Sequence, residues 1–448
     1  MNLTTLLKIF NDNHCQKIYV KRLAANDNSK NQVYFGGNFD ILNILPIKDI
    51  VPDDSGECKR TRFKTKLDFY WVNLQGALTI APEAQLILYP RYPEVRFSGF
   101  LKNSKDAPSD LMASRLEGRL LFLGVTNNGK IIGHVTAYDS SISREFNSLK
   151  NINVIGIFEE LTIDHGKIEL NPKEKLIAEL RRIHNLGWID AKRLNSQREL
   201  LPCIHSNCGG YTLEAELGIT PNGYSEPDYL GWEVKQFAVK DFERYTSAII
   251  TLMTPEPTHG YYANAGVEDF IRKYGYSDKS GRKDRFNFGG IYKHGIVNPT
   301  TKLKLIVSGF DISNKKIDNA DGFIGLIDEE ENIAASWSFA SLLKHWNTKH
   351  ANACYIPSMK RENENLNAFC SQQYCFGNKI ILGSLTDFSL FLLNIQKGII
   401  YYDPAIKHEL AIAGVRKQQV KRRSQFRIKS LYLQDLYKKY EILDLKSP

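Results

Sequence analysis

Two carboxylates and one lysine stand at a spacing that suits phosphodiester chemistry. Asp228 follows Pro227, and the run Gly231–Phe237 then places Glu233 and Lys235 two positions apart. The alternation of that run predicts a half-buried strand, on which residues two apart point to the same side. Carboxylate oxygens are preferred ligands of Mg²⁺, which polarises a phosphate, and a lysine can orient a water. The stretch therefore predicts metal-assisted hydrolysis.

The surroundings of the pair decide between a catalytic site and a surface ion pair. A Glu-x-Lys pair on a strand most often lies in solvent as a cross-strand charge pair. Here Trp232 lies between Asp228 and the Glu-x-Lys pair, and Glu214 and Glu216 form a second acidic cluster upstream. Carboxylates that gather at one place are typical of metal-assisted hydrolysis, so the catalytic interpretation is favoured.

Five short segments resemble one enzyme family. They are Thr212–Glu214, Leu217–Ile219, Pro227–Asp228, Trp232–Lys235 and Thr251–Pro257. The separation of Glu214 from Asp228 and the Asp-x4-Glu-x-Lys spacing are similar to the catalytic core of the MvaI/BcnI family of restriction endonucleases. The resemblance implies an α/β PD-(D/E)xK nuclease domain with a mixed sheet, similar in fold to the mismatch-repair nicking enzyme MutH.

The same resemblance implies roles for individual residues. Asp228 and Glu233 would ligate Mg²⁺. Lys235 would position a water, and Glu214 would add a further carboxylate. The implied reaction is in-line attack of a metal-activated water on double-stranded DNA, which leaves 5′-phosphate and 3′-hydroxyl ends. The likeness also implies a Type II restriction endonuclease that acts as a monomer at a CC-(one base)-GG site, with a cognate DNA methyltransferase in the same system.

The composition is that of an ordinary globular protein. The chain has 448 residues, of which 42% are hydrophobic and 24% charged, which is enough for two or three domains. The net charge of +9 matters only where it is clustered. No apolar run approaches the length of a membrane span, and the first residues lack a signal-peptide pattern. We therefore expect a cytoplasmic protein that does not associate with membranes.

The cysteines predict reduced thiols rather than a disulfide framework. There are seven of them, an odd number in a long chain. Cys203-x4-Cys208, with His205 between them, and Cys370-x4-Cys375 leave a zinc site open as the alternative. Both gaps are slightly wider than the usual spacing of structural zinc ligands, so buried free thiols are favoured.

Residues 1–160 predict an all-β domain. Short runs rich in aromatic and branched residues alternate with turn signals, which is typical of a barrel or sandwich. The polar loops Lys21–Gln32 and Tyr89–Arg96 resemble the two arms of the N-terminal effector-binding domain of EcoRII-type restriction enzymes, a pseudobarrel that wraps the major groove of DNA. Ordinary solvated loops are the alternative. The candidate DNA contacts are Arg22, Asn26, Asn28, Gln32, Arg91, Glu94 and Arg96.

Positive charge is densest near the C-terminus. The segment Arg416–Lys429 contains seven basic residues and no acidic one. Apolar residues interrupt it, and Leu431–Tyr437 predicts a helix with an apolar stripe, so a disordered tail fits poorly. A structured basic segment is suited to reading groove edges and contacting phosphates. Its candidate DNA contacts are Arg422, Arg423, Gln425 and Arg427.

These signals predict two domains joined at about 140–170. Residues 1–160 form the EcoRII-like β-barrel DNA-binding domain, and residues 170–448 the MvaI/BcnI-like nuclease domain. Within the second, Pro172 should open a helix and Thr246–Thr254 should form a strand beside the catalytic one. Strands interleaved with helices indicate an α/β core.

Two other functions stay open. The first is a MutH-like nicking enzyme of DNA repair, which cuts one strand and needs a partner protein. The second is an inactive, sequence-specific DNA-binding protein, against which the intact Asp228, Glu233 and Lys235 argue. The middle base of the recognition site stays open, as does binding of a second copy of that site by the N-terminal domain.

Overall fold

The computed structural model describes residues 2–37, 39–53, 62–73, 75–91, 94–150, 152–162, 172–205, 207–220, 227–244, 247–365, 369–411 and 418–446, without the side chains of 40, 162 and 348. Residues 163–170 of the predicted junction, Tyr92 and Pro93 of the second polar loop, and Arg416 and Lys417 of the basic segment lie outside the described residues. The chain divides into two compact units, Met1–Glu169 with Lys316–Ala320 and Leu170–Lys315 with Asp321–Pro448. Together they make a multidomain protein of helices and strands.

The first unit is built from two sheets. The order of the seven-stranded sheet is Asn153–Ile155, Phe158–Thr162, Cys15–Leu23, Arg119–Thr126, Ile131–Thr136, Phe69–Val72 and Leu78–Ile80. The fifth and sixth strands are parallel and the other neighbours antiparallel. The second sheet is antiparallel, in the order Val33–Gly36, Glu94–Ser98, Gln85–Tyr89, Phe63–Lys66 and Ile50–Pro52. The remaining elements are the helices Leu3–Asp12, Ser109–Ala113 and Ser141–Ser148, the 3₁₀ turn Phe39–Asn43 and the short strand Lys316–Ile317.

Aromatic side chains join the two sheets of the first unit. The ring centroid of Phe97, in the five-stranded sheet, lies 5.0 Å from that of Phe69 in the seven-stranded sheet. The expected strands are therefore present, but the described residues also include three α-helices that the all-β prediction lacked. The first helix is capped by Asn2, whose side chain accepts a hydrogen bond from the Thr5 amide at 2.9 Å. The pseudobarrel itself stays a prediction.

A six-stranded mixed sheet organises the second unit. The catalytic strand Glu233–Ala238 runs parallel to the central strand Asn352–Glu362. The other strands are antiparallel to their neighbours, in the order Ile189–Asp190, Gln372–Phe376, Asn352–Glu362, Lys379–Thr386 and Tyr437–Asp444. The mixed sheet that the sequence predicted is thus confirmed.

Smaller sheets complete the second unit. One three-stranded sheet contains Ile249–Met253, Phe426–Lys429 and Tyr401–Tyr402, and another contains Lys304–Ser308, Phe323–Ile327 and Ile333–Ser338. A four-stranded sheet contains Tyr276–Ser277, Arg285–Gly289, Ala405–Glu409 and Gln419–Lys421, and a hairpin contains Lys192–Leu194 and Leu200–Pro202, with Phe310–Asp311 as a further short strand. The helices are Pro172–Asn185, Cys208–Glu216, Tyr261–Ala265, Val267–Tyr274, Phe339–His350 and Phe388–Gln396, with a 3₁₀ helix at Ser430–Leu436. None of the described helices is long and apolar enough to cross a bilayer.

One apolar cluster fixes the elements that surround the catalytic strand. Leu180 of the helix Pro172–Asn185, Leu213 of the helix Cys208–Glu216 and Val234 of the strand are all buried in it. Burying an aliphatic side chain contributes about 1.5–3 kcal/mol. The cluster therefore holds the residues that flank Asp228 in a defined arrangement.

One prediction about a local element was wrong, and another was right except for the type of helix. Ile249–Met253 is a strand, but it pairs with Phe426–Lys429 and not with the catalytic strand, whose parallel partner is Asn352–Glu362. Residue alternation indicates a strand and its buried face but carries no information about its partner. The expected helix over Leu431–Tyr437 is a 3₁₀ helix at Ser430–Leu436. Its buried residues Leu433 and Leu436 are three apart, which suits three residues per turn.

The expectation of free thiols is wrong for one pair of cysteines. Cys203 and Cys208 form a disulfide, with their Cα atoms 5.6 Å apart. Loop geometry brings Cys203 to the first residue of the helix Cys208–Glu216, which spacing alone does not show. Cys370 is buried and donates a hydrogen bond from Sγ to the Cys203 carbonyl at 3.1 Å, while Cys375 is a partly buried free thiol. The structure thus gives the zinc alternative no support in the residues it describes.

Candidate active site

The catalytic strand places two of the predicted residues side by side. Lys235 Nζ lies 2.8 Å from Glu233 Oε1 and donates a hydrogen bond to it. Both side chains leave the same face of the strand, as predicted. Glu233 is only 2% exposed and Lys235 is partly buried, so this is not the solvated pair that such a motif most often forms.

A tight turn returns Asp228 to this strand. Tyr229 and Trp232 exchange main-chain hydrogen bonds of 2.9 and 2.8 Å. The two residues between them have φ values of +49° and +82°, as in the type I′ turns that favour glycine. The Val234 amide then donates a hydrogen bond to Asp228 Oδ2 at 3.0 Å. The turn therefore holds the Asp228 carboxylate beside the strand.

The helix Cys208–Glu216 brings in a third carboxylate, Glu214. Burial, together with the negative charges of Asp228 and Glu233, raises the pKa of Glu214 to about 7. Such an effect requires the three carboxylates to be close together. The structure therefore gathers the acidic residues that the sequence placed in one site.

Contacts at both ends fix this helix. A Cβ on Gly209 would lie 2.9 Å from the side chain of Gln236 on the catalytic strand, so only glycine permits so close an approach. At the other end, Glu216 Oε1 lies 2.5 Å from Lys192 Nζ. Of the two residues in the predicted acidic cluster, Glu214 thus faces the site and Glu216 serves to anchor the helix.

Sequence reasoning missed a second lysine. Lys349, on the helix Phe339–His350, has its Nζ 3.6 Å from Glu233 Oε1. His345 lies one helical turn earlier, and burial together with the charge of Lys349 lowers its pKa to about 4. A Lys and a His four apart on a predicted helix are a common surface pattern. Because Lys349 is distant in sequence, nothing local identified it as part of the site.

The two lysines set the ionisation of the carboxylates. Burial acts to raise the pKa of Glu233, but the positive charges of Lys235 and Lys349 outweigh it, so the pKa is lowered overall. The pKa of Asp228 is raised by burial and by the charge of Glu233. Glu233 is therefore the carboxylate that stays ionised most readily in this site.

The Lys349→Ala variant should cleave DNA about 10²-fold more slowly, which is a typical cost of loosening a positioned reactive group. The reason is that Glu233 loses one of the two ammonium groups that hold it ionised. Single-turnover cleavage rates and duplex-binding constants, measured side by side, check this. Lys349→Arg keeps the charge and should recover most of the rate. A Lys349→Ala rate equal to that of the unaltered protein would remove Lys349 from the site.

The donor atoms fit a hard divalent cation. Glu233 Oε2 is buried with no hydrogen-bond partner among the described residues, although buried carboxylate oxygens normally have one. Carboxylate oxygens such as those of Glu233 and Asp228 suit Mg²⁺, which usually keeps several waters and binds through one or two carboxylates. In the described parts of the chain, no three His, Cys, Asp or Glu side chains form a metal-binding group.

The predicted DNA contacts near the C-terminus differ in accessibility. Arg422 and Arg423 are exposed just before the strand Phe426–Lys429, whereas Gln425 is 8% exposed. Arg427 Nη1 lies 2.5 Å from Asp403 Oδ2. The two exposed arginines are therefore open to solvent, while Gln425 and Arg427 are held within the fold.

The first polar loop of the N-terminal unit is partly a structural turn. Asn28 is buried: its side-chain oxygen accepts hydrogen bonds from the amides of Lys30 and Asn31, and its nitrogen donates to the Ala25 carbonyl. Arg22 is held in an ion pair with Glu159 at 2.6 Å. These two candidates thus contribute to the fold.

The other candidates in this unit gather at one place. Asn26, Gln32 and Arg96 line a polar cleft of about 510 Å³. Arg96 Nη1 donates a hydrogen bond to the Asn31 carbonyl at 3.1 Å, which joins the second loop to the first, and Arg96 also pairs with Glu94 at 3.1 Å. Arg91 is exposed beyond the strand Gln85–Tyr89. The structure thus brings the two predicted arms together.

Comparison with known proteins identifies the family. Residues 177–437, more than half of the chain, match the family model of the MvaI/BcnI restriction endonucleases. A solved structure of the restriction endonuclease MvaI in complex with its cognate DNA substrate is 17% identical, covers 61% of this chain and 99% of its own, and has a TM-score of 0.45. A structure of MvaI in the absence of DNA is 17% identical, covers 62% of this chain and 99% of its own, and has a TM-score of 0.33. No curated protein matches. The chain belongs to the MvaI/BcnI restriction endonuclease family and is a Type II restriction endonuclease, a site-specific deoxyribonuclease.

Proposed function

We propose that this enzyme hydrolyses double-stranded DNA with Mg²⁺ held by Asp228 and Glu233 in a PD-(D/E)xK site. The observation that carries the proposal is the state of Glu233. It is buried, paired with Lys235 and Lys349 through one oxygen, and has no hydrogen-bond partner for the other. A buried carboxylate kept ionised with one oxygen to spare is suited to binding a cation.

The side chains of this site divide the work of hydrolysis. A bound Mg²⁺ would polarise the scissile phosphate and lower the pKa of a water. Lys235 orients the attacking water through its ammonium group, and Glu214, with a pKa raised to about 7, is suited to exchange a proton near neutral pH. The water oxygen bonds to phosphorus as the P–O3′ bond breaks, the water loses a proton, and the departing O3′ takes up a proton. The products are a 5′-phosphate and a 3′-hydroxyl.

The recognition sequence of the enzyme is proposed from the family likeness. A CC-(one base)-GG site, cut by a monomer one strand at a time, is the expectation. Arg422 and Arg423 are the exposed candidates for contacts to DNA, because arginine binds guanine edges and phosphates. A cognate methyltransferase would protect the same site in the host.

The experiment that tests this function is digestion of plasmid DNA of known sequence by the purified protein, with and without Mg²⁺, followed by sequencing of the ends. Discrete fragments that all end at one short motif, formed only with the metal, are expected. Nicked circles alone would favour a MutH-like nicking enzyme. Uncut DNA that still shifts in a gel would mean a binding protein without activity.

For the N-terminal unit we propose an EcoRII-like pseudobarrel over residues 1–160 that binds a second DNA duplex through the cleft of Asn26, Gln32 and Arg96. The double variant Asn26→Ala/Gln32→Ala should bind one cognate duplex per chain where the unaltered protein binds two, because it loses amide contacts to base edges. Calorimetric titration measures the stoichiometry. Gln16→Ala/Asn127→Ala removes the same residue types from exposed positions of this unit and should keep both sites. Two duplexes on the first variant would refute the assignment.

A further inference from the structure

One face of the four-stranded sheet in the second unit carries an aligned row of polar side chains. In the antiparallel register Tyr276 is opposite Asn287, Asn287 is opposite Lys407, and Lys407 is opposite Lys421. Directly opposed residues point to the same face of a sheet. We call these four residues the Tyr276–Lys421 row. It crosses four strands, and at about 4.8 Å per strand spacing it extends over about 14 Å.

The row contains a like-charged pair that the fold does not neutralise. Lys407 and Lys421 are opposed across neighbouring strands, an arrangement that destabilises a sheet. Within the part of the chain that the structure describes, neither forms an ion pair with a carboxylate. Burial, together with the charges of Arg285 and Lys421, lowers the pKa of Lys407 overall, although the charge of Glu409 acts to raise it. An unfavourable cluster of positive charge is expected where an anion binds.

Neighbouring arginines show that the fold neutralises other charges in this sheet. Arg285 Nε lies 3.8 Å from Glu409 Oε1, and Arg282 Nη2 lies 3.1 Å from Asp284 Oδ2. These pairs leave the two lysines as a distinct unpaired group. Their lack of acidic partners therefore does not reflect a shortage of carboxylates nearby.

The row lies in an open cleft with a rigid floor. The cleft has a volume of about 420 Å³, and Lys279 and Arg423 also line it. On the opposite face of the sheet, Phe288 and Ile406 are fully buried, so the strands cannot shift easily. The lysines are therefore presented on a preorganised surface.

We propose that the Tyr276–Lys421 row binds the sugar–phosphate backbone of a DNA strand, with Lys407 and Lys421 contacting phosphates. The inference rests on the proposed DNA cleavage. The row is about 14 Å long, which is more than one small anion fills and leaves room for more than one phosphate of a strand. Asn287 is held within the row, because its Nδ2 donates a hydrogen bond to Asp278 Oδ1 at 3.1 Å and its Oδ1 accepts one from Arg285 Nε at 3.1 Å. Lys279 Nζ lies 5.3 Å from the ring centroid of Tyr276 and adds a further positive charge to the cleft. Arg423, one of the two exposed arginines of the basic segment, also lines this cleft.

Salt dependence of DNA binding tests the proposal. Each phosphate contact makes the slope of log K against log salt more negative by about 0.9. The variant Lys407→Gln/Lys421→Gln, titrated without metal against a fluorescent duplex, should therefore have a slope that is less negative by about 1.8 than that of the unaltered protein. Its thermal midpoint should be unchanged or higher, because the variant removes a repulsion. Lys407→Arg/Lys421→Arg should keep the original slope.

A charge-matched control makes the result specific. Lys397→Gln/Lys439→Gln removes the same charge from exposed positions and should leave the slope unchanged. An equal slope for Lys407→Gln/Lys421→Gln and the unaltered protein overturns the proposal. The proposal is also overturned if inorganic phosphate stabilises the unaltered protein but not Lys407→Gln/Lys421→Gln while the two proteins have equal slopes. That result would indicate a small-anion site. If the unaltered protein binds no duplex, both this inference and the proposed function fail. If the slope changes in the variant but the unaltered protein does not cleave DNA, only the proposed function fails.

Discussion

Lys235→Ala protein is expected to bind duplex DNA about as tightly as the unaltered protein and to cleave it at least about 10³-fold more slowly. The substitution removes the ammonium that lies 2.8 Å from Glu233 Oε1 and that we assign to the water. Phosphate contacts elsewhere supply most of the affinity for DNA, so binding should persist. Single-turnover cleavage of a labelled duplex and a gel-shift titration of the same duplex give the two quantities.

A control from the same region accompanies this variant. Lys240 is exposed just beyond the end of the strand Glu233–Ala238, so Lys240→Ala removes an equal charge without touching the site. It should cleave at the normal rate. Cleavage by Lys235→Ala within tenfold of the control would show that the catalytic lysine has been assigned to the wrong residue.

Glu233→Gln should abolish both cleavage and the stabilisation of the protein by Mg²⁺. In the unaltered protein, Mg²⁺ at about 100 times its dissociation constant should add about 2.7 kcal/mol to the free energy of unfolding. The variant keeps the shape of the side chain but loses the charge that holds a cation, and its amide faces Lys235 and Lys349. Thermal unfolding with and without Mg²⁺ measures the effect without any reference to catalysis.

The matched control for this variant is Glu243→Gln. Glu243 lies at the surface, where its carboxylate is 2.8 Å from Lys379 Nζ. An exposed pair of this kind contributes about 0–1 kcal/mol, so the control should retain the full Mg²⁺ effect and the full rate. Undiminished stabilisation of Glu233→Gln by Mg²⁺ would place the cation elsewhere in the protein.

Local spacing determined the centre of the site before the fold was known. Glu233 and Lys235 had to share a face because strand geometry repeats every two residues. This inference concerns residues within one short segment, where backbone geometry is sufficient, and the hydrogen bond from Lys235 to Glu233 agrees with it. The turn at Leu230 and Gly231 that returns Asp228 to the strand appears only in the structure, through its positive φ values.

The tertiary structure decided which distant elements meet. Lys349 joins Glu233 through helix packing, and Ile249–Met253 pairs with Phe426–Lys429 in place of the catalytic strand. Periodicity shows which face of an element is buried, but the partner depends on long-range packing that no short window contains. For the same reason, the sequence did not predict that the basic residues near 279–285 and 407–421 lie together on one sheet. Their alignment exists only in the register of the folded sheet.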